Sequence, residues 1–309
     1  MTTPPGTVSV VIPTKDRCAL TLEAIASAVA AGGVDEVIVV DAGSTDGTQA
    51  RVAALTAPVR LVQGSHRNAA AARNAGIREA RGAYIGFLDS DDLMEPAKVA
   101  SLRRVLDADP GVGLVHGRTV VVDGGGRPDA AATELHERQR RRAEAVGTGF
   151  AGLAEYCSLY TSATLMRRAA LEDVGGYDEA LDVYEDWDLY LRLSLRWQLV
   201  YADEVAARYR LWPGNVAWDR TARGTVAVAR KQLAALPPLA SGERRRAAYA
   251  LQRRIAEASN VLVEPRATRS AATAALRCDP RRALGDSLLG GLVLRSFVPR
   301  SLRVRRRPG

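Results

Sequence analysis

Short apolar runs of strand length recur along the N-terminal third of the chain, each followed by a stretch with helical spacing. That alternation constrains the fold more than any other feature. Val8 to Ile12 reads as a buried strand, and Leu20 to Ala31 as a helix closed by the stop signal Gly32-Gly33. Val37 to Val40 is a second buried strand, Thr48 to Leu55 a helix, Val59 to Val62 a third strand, Ala69 to Ala80 a helix, and Tyr84 to Leu88 a fourth strand. Strands and helices in this rhythm imply an α/β fold with a mostly parallel central sheet flanked by helices. In such sheets ligands bind beyond the carboxyl ends of the strands. The polar residues collect there: Thr14 to Arg17 after the first strand, Asp41 to Asp46 after the second, Asp89 to Asp92 after the fourth.

The last of these clusters carries the most chemistry. Asp89, Asp91 and Asp92 follow an apolar segment that holds them rigidly, and carboxylates this close repel one another unless a hard cation or solvent offsets them. Mg²⁺ or Mn²⁺ with a phosphate-bearing substrate fits, and a solvated loop is the plain alternative. Asp46 has a plain reading as well, as the cap of the following helix through an Asp-Gly turn.

The composition, with 309 residues, 47% hydrophobic and 25% charged, is that of a soluble globular protein with an aliphatic core. The net charge of +8 invites a polyanionic partner, but the excess sits in separate runs: Arg138 with Arg140 to Arg142, Arg244 to Arg246, and Arg303 with Arg305 to Arg307. No nucleic-acid module accompanies them, so no nucleic-acid partner is expected. Cys18, Cys157 and Cys278 lack the spacing of a zinc site or a disulfide framework. Met1 to Gly6 lacks a signal peptide's basic and apolar regions, and no stretch is apolar enough to span a bilayer. A cytoplasmic protein is expected, at most peripheral on the inner face of the membrane.

Further along, Pro96 to Asp107 looks helical and Gly113 to Val122 extended. Residues 124–149 read as a long, mobile, Arg-rich excursion with some helix. Ser162 to Arg168 resumes a strand, and Tyr184 to Trp197 is an amphipathic helix with Glu185-Asp186 in its first turn, where the helix dipole favours carboxylates. From about Thr225 the pattern is Ala/Leu/Arg-rich and helical. The expected division is an α/β half at 1–122, a second half at 123–224, and a helical extension with a basic tail at 225–309. The apolar stretch Leu284 to Leu302 suits packing or a homodimer contact, or an anionic membrane surface.

Six motifs in order then carry a resemblance: Val8 to Arg17 (VSVVIPTKDR), Val39 to Thr48 (VVDAGSTDGT), Ala72 to Ile77 (ARNAGI), Phe87 to Asp92 (FLDSDD), Gly175 to Glu179 (GGYDE) and Glu185 to Leu189 (EDWDL). Together they resemble the family 2 inverting glycosyltransferases, which use nucleotide sugars on a GT-A fold, and the likeness runs from about Val8 to Pro213. What it implies is a transferase that moves a sugar from a UDP- or dTDP-sugar to an acceptor hydroxyl. The acceptor is a glycan, a lipid-linked species or a natural product. By the resemblance Asp91, with Asp89, holds Mg²⁺ or Mn²⁺. Pro13, Thr14, Asp16, Asp41, Arg73, Asp89 and Ser90 face the nucleotide, Asp186 is the general base, and Glu185 supports it. The chemistry agrees, since a departing diphosphate builds negative charge and an attacking hydroxyl must lose its proton.

Two departures stand out. Ala42 replaces the second acid that many relatives carry after the second strand, and Trp212 stands where relatives often have a metal-binding His. Trp187, Trp212 and Trp218 offer either an aromatic wall for the acceptor or core packing. A dehalogenase-like phosphoryl-transfer enzyme fits poorly, because Leu93 occupies a position where that pattern wants Thr or Val. The alternative of another class is a non-catalytic nucleotide-sugar-binding or membrane-associated scaffold of the same fold.

Overall fold

The computed structural model describes residues 6–212 and 217–297; Pro213, Gly214 and the basic tail beyond residue 297 lie outside the described residues. The expected α/β alternation is present. The order runs β1 (Val8–Thr14), α1 (Cys18–Ala30), β2 (Glu36–Asp41), α2 (Thr48–Ala53), β3 (Val59–Gln63), α3 (Ala69–Glu79), β4 (Tyr84–Phe87), β5 (Leu93–Met94) and α4 (Lys98–Ala108). It continues with β6 (Val112–Val122), α5 (Ala130–Val146), α6 (Phe150–Glu155), β7 (Thr164–Arg167), α7 (Arg168–Asp173), α8 (Glu185–Leu193) and β8 (Gln198–Arg210). Five helices follow among the described residues: α9 (Trp218–Ala234), α10 (Ser241–Val261), α11 (Pro265–Cys278), α12 (Pro280–Gly285) and α13 (Ser287–Ser296).

The eight strands of the described residues form one sheet in the order β3-β2-β1-β4-β7-β6-β8-β5. β1 pairs in parallel with β2 and β4, β2 with β3, and β6 with β8, while β7 and β5 run against their neighbours. Covering layers on both faces explain why the strands are apolar throughout rather than alternating. Val8, Val10 and Ile12 point into a core closed by Ile25 of α1 and Leu102 of α4. Val11, Ile38 and Phe87 point into the other, closed by Ala72 of α3, Leu189 of α8 and Leu251 of α10. At Gly76 the packing of α3 on β1 is so close that a Cβ would lie 2.3 Å from Val11 Cγ1.

The structure goes beyond the sequence reading at two places. Residues 124–149 are mostly one regular helix, the 17-residue α5, whose N-cap Asp129 accepts from the Ala132 amide. The strand β8 was not anticipated at all. Its Leu199-Val200-Tyr201 and Val205-Ala206-Ala207 runs carry a strand signal, but Asp203 and Glu204 interrupt it.

Among the described residues no helix is long and apolar enough to cross a membrane. Leu284 and Leu294, on α12 and α13, are 83% and 73% exposed.

Candidate functional site

The acidic loop after β4 is held from below by a buried network. Asp92, 2% exposed, accepts from the Ser162 hydroxyl at 2.6 Å and from the Arg210 amide at 2.9 Å. Lys98, fully buried at the start of α4, donates to the Phe87 carbonyl at 3.1 Å and the Ser162 carbonyl at 2.7 Å. Burial, with the nearby charge of Asp89, pushes the Asp92 carboxyl up to about 8, and burial pulls the Lys98 ammonium down to about 7. Arg210, at the end of β8, reaches round the loop. Its Nε donates to the Asp91 carbonyl, Nη1 to the Gly124 carbonyl and Nη2 to Glu23. So fastened, the loop presents Asp89 and Asp91 at the mouth of the sheet.

Both carboxylates meet arginines there. Arg17 Nη1 donates to Asp91 Oδ2 at 2.5 Å, and Arg73 Nη2 donates to Asp89 Oδ1 at 2.6 Å. Arg73 is 5% exposed, and its Nη1 also donates to Glu185 Oε1 at 2.5 Å, so one guanidinium ties the β4 loop to the first turn of α8. Burial opposes that charge, but the fields of Asp89 and Glu185 outweigh it and keep Arg73 firmly protonated. α3 can carry Arg73 into this position because Gly76, one turn on, lets the helix sit against β1.

Tyr184 precedes α8 with φ 62°, a left-handed conformation that a tyrosine adopts only under tertiary constraint. That turn sets Glu185 and Asp186 at the helix start. Asp186 is half-buried; its Oδ1 accepts from the Trp187 amide at 2.7 Å and its Oδ2 from the Thr161 hydroxyl at 3.3 Å. Burial, then the Glu185 charge, pushes the Asp186 carboxyl up to about 7, against the pull of Arg73. A carboxylate so tuned takes up and releases a proton near neutral pH.

Two cavities converge on these residues. The first, about 530 Å³, lies beyond the strand ends and is lined by Pro13, Thr14, Lys15, Arg17, Ala42, Arg67, Ser90, Asp91 and Arg220, among others. The second, about 500 Å³, is lined by Tyr160, Tyr184, Glu185, Asp186, Trp187, Tyr190 and Arg254, among others. Arg73, Asp89, Asp92 and Tyr209 line both, so the two spaces share a wall.

Of the residues singled out from sequence, Pro13, Thr14, Arg73, Asp89, Ser90 and Asp91 line the first cavity, and Glu185, Asp186 and Trp187 the second. Four do not reach either, one of them Trp218, the first residue of α9. Asp41 is fully buried: its Oδ1 accepts from the Gly43 and Ser44 amides and Gln49, and those bonds outweigh burial to hold it below the usual carboxylate range. Ala42 faces the cavity in its place. Asp16 turns its Oδ1 to the Thr45 amide at 2.7 Å and so braces two loops. Trp212 lies over Gly124, where a Cβ on the glycine would come within 2.9 Å of the indole, and it lines neither cavity. Trp187 is 5% exposed and donates from Nε1 to the Leu153 carbonyl, so it is as much core as wall. Asp46 is a turn residue, accepting from the Thr48 and Cys18 amides. Lys98, Arg210, Tyr160 and Arg254 escaped the sequence reading. Arg210 stood beside the expected His position without a role, and Arg254 lies in a helical region that no motif covers.

The family model described as "Glycosyl transferase family 2" matches residues 9–175. This chain belongs to that family. A second model, "Glycosyltransferase like family 2", matches residues 134–233 of this family 2 member. Among curated family relatives, the succinoglycan biosynthesis protein ExoU of Rhizobium meliloti is 31% identical over 224 residues, 67% of this chain and 63% of that protein. The pre-mycofactocin glycosyltransferase of Mycobacterium tuberculosis is 32% identical over 52% of this chain and 32% of its own length. The chain spans only 25% of ExoO, another R. meliloti succinoglycan biosynthesis protein, to which it is 48% identical over 89 residues. Among solved structures, S. aureus TarS 1–349 in complex with UDP-GlcNAc superposes with a TM-score of 0.65 at 17% identity, covering 94% of this chain and 89% of that one. The Pyrobaculum calidifontis mannosyltransferase PcManGT, in complex with GDP-Man and Mn²⁺, gives 0.59 at 21% identity, covering 94% and 83%. The fold of this family 2 chain is therefore GT-A, with a helical C-terminal region.

Proposed function

We propose that this chain transfers a sugar from a nucleotide-sugar donor to an acceptor hydroxyl, with inversion at the anomeric carbon, and that Asp186 is the general base. The carrying observation is the shared wall. A donor in the strand-end cavity and an acceptor in the second cavity meet beside Asp89 and Arg73, with Asp186 on the acceptor side. Asp186 takes the proton as the acceptor oxygen attacks the anomeric carbon. The bond from that carbon to the phosphate oxygen breaks on the opposite face, so a single displacement inverts the centre. Negative charge grows on the departing diphosphate, where Lys15, Arg17 and Arg67 line the cavity and receive it.

Asp89 and Asp91 would hold a divalent cation. Each commits one carboxylate oxygen to an arginine and leaves the other without a protein partner among the described residues. These are hard oxygen donors, but no group of three ligating side chains is present among the described residues. The set therefore fits Mg²⁺ or Mn²⁺ brought in with a diphosphate rather than an ion held by protein alone. When bound, such an ion neutralises charge on the leaving phosphate. TarS with UDP-GlcNAc and PcManGT with GDP-Man and Mn²⁺ support this class of donor and cation. A UDP- or dTDP-sugar is the donor proposed. Calorimetric titration with UDP, dTDP and GDP, each with and without Mn²⁺, tests it. Metal-dependent binding of one nucleotide is expected, and binding of none would overturn the reading.

A further inference from the structure

We propose that the acceptor carries an anionic group, a carboxylate or a phosphate, and that Arg254 receives it. The proposal rests on the second cavity being the acceptor's. Arg254 projects from α10 and lines that cavity together with Asp186. Two other arginines of this helix are neutralised: Arg246 pairs with Glu155, and Arg253 with Glu257 and Asp286. Arg254 has no carboxylate partner among the described residues. Its Nη2 donates to the Glu155 carbonyl at 3.2 Å, and its buried Nε has no hydrogen-bond partner.

The guanidinium is nonetheless held in place. Its centre lies 5.5 Å from the Trp187 ring centroid and 5.9 Å from that of Tyr156. A partly desolvated cation without a counter-ion is costly, and an anionic ligand relieves that cost. The other charges of the cavity leave Arg254 as the point of attraction. Asp89, Asp92, Glu185 and Asp186 are carboxyl groups, and Arg73 is already bonded to two of them. An acceptor anchored by its anion at Arg254 keeps that charge away from these carboxylates and leaves a hydroxyl for Asp186. The helical extension thus contributes a specificity determinant to the site.

The test compares binding of 4-nitrophenyl β-D-glucuronide and 4-nitrophenyl phosphate with that of the neutral 4-nitrophenyl β-D-glucoside, by titration at pH 7.5 with saturating UDP and Mn²⁺. At least one anionic probe should bind the wild-type protein about tenfold or more tightly than the glucoside, as charge-assisted hydrogen bonds predict. The two arms tell a carboxylate from a phosphate. Arg254→Gln should bring the ratio near one, and Arg254→Lys should keep part of it. Equal affinities, no detectable binding of any probe, or an unchanged ratio in a folded R254Q would overturn the proposal. If R254Q does not fold, the wild-type ratio and R254K decide: R254K must lower the preference. UDP titration of the same samples separates the two readings. Loss of nucleotide binding in every protein would sink the donor assignment while leaving the anion preference to stand on its own result.

Discussion

The cavity at the strand ends and the cavity beyond α8 share Arg73, Asp89, Asp92 and Tyr209, yet they are assembled differently. The first is made mostly by short segments at the ends of β1, β2, β3 and β4, together with the start of α3 and the end of β8, and takes only Arg220 from the later helices, on α9. Its residues lie where the topology of a parallel sheet puts any ligand. The second gathers Gln139 from α5, Tyr160 and Thr161 from the turn before β7, Asp186 from α8, Thr221 and Thr225 from α9 and Arg254 from α10. Only long-range packing brings those together. The one is mostly a property of the sheet; the other depends on the particular helices laid over it.

That contrast makes the two cavities separable by mutation. Asp186→Asn should lower transfer on the order of a thousandfold, as loss of a general base does, while nucleotide affinity stays within twofold or so. Full activity in that variant would break the assignment of the base to the acceptor side. Asp91→Ala acts on the other side: metal-dependent nucleotide binding should fall on the order of a hundredfold, measured by calorimetry with Mn²⁺. Unchanged affinity would count against the cation role of the β4 loop.

A pH profile sharpens the same division. Burial and Glu185 raise Asp186 to about 7, and only its deprotonated form accepts a proton. Below that value kcat/KM for the acceptor should fall about tenfold per pH unit, and above it kcat/KM should level off. Nucleotide binding measured over the same range should not follow this curve. If kcat/KM stays flat from pH 5 to 8, Asp186 is not the base.

Legibility followed the same boundary. The placement of Asp89, Asp91 and Arg73 beside the strand-end cavity was readable because each sits a fixed few residues from a recognisable strand or inside a short motif. The placement of Asp186 at a helix start was readable because the Glu-Asp-Trp run opens an amphipathic helix. Asp41 misled because sequence fixes where an acid lies in a loop but not whether it faces ligand or turns inward to tie off amides, as Asp41 does with Gly43 and Ser44. Trp212 misled likewise, since its contact is Gly124, distant in sequence. Lys98 and Arg254 had no local signal at all. A lysine at the start of a helix and one arginine in an Arg-rich helix are commonplace, and only the packing around them makes the first buried and the second unpaired.

Stability should register the sheet-borne cavity first. Gly76→Val places a side chain where even a Cβ would stand 2.3 Å from Val11. Overpacking of this kind costs about 1–3 kcal/mol. Because α3 must shift, Arg73 should lose its reach to Asp89 and Glu185, so nucleotide binding and melting temperature fall together. A variant as stable as wild type would show that α3 rides more loosely on β1 than this packing implies.

The smallest effect concerns the lid of the acceptor side. α5 is regular, but only Ala143 of its 17 residues is buried, and much of its length is laced by solvent-exposed pairs such as Arg141 with Glu134. Pairs of that type contribute little, and the inner face, with Thr133 bonded to the Val121 amide and Arg140 over Tyr201, is mostly half-buried rather than buried, so the helix is only weakly anchored. What ties it to the site is a short set of contacts: His136 stacks on Tyr160 at 4.6 Å, and the Tyr160 hydroxyl donates to Gln139 at 3.3 Å. Tyr160 and Gln139 both line the second cavity. A ligand there would clamp the helix through the same residues. Hydrogen exchange should therefore find the α5 amides weakly protected in the free protein, against strong protection in β1 and β4, and slower when the acceptor cavity is filled. Equal protection of α5 and the central strands in the free protein would mean that both cavities are preformed, and the contrast between them would then lie in sequence alone.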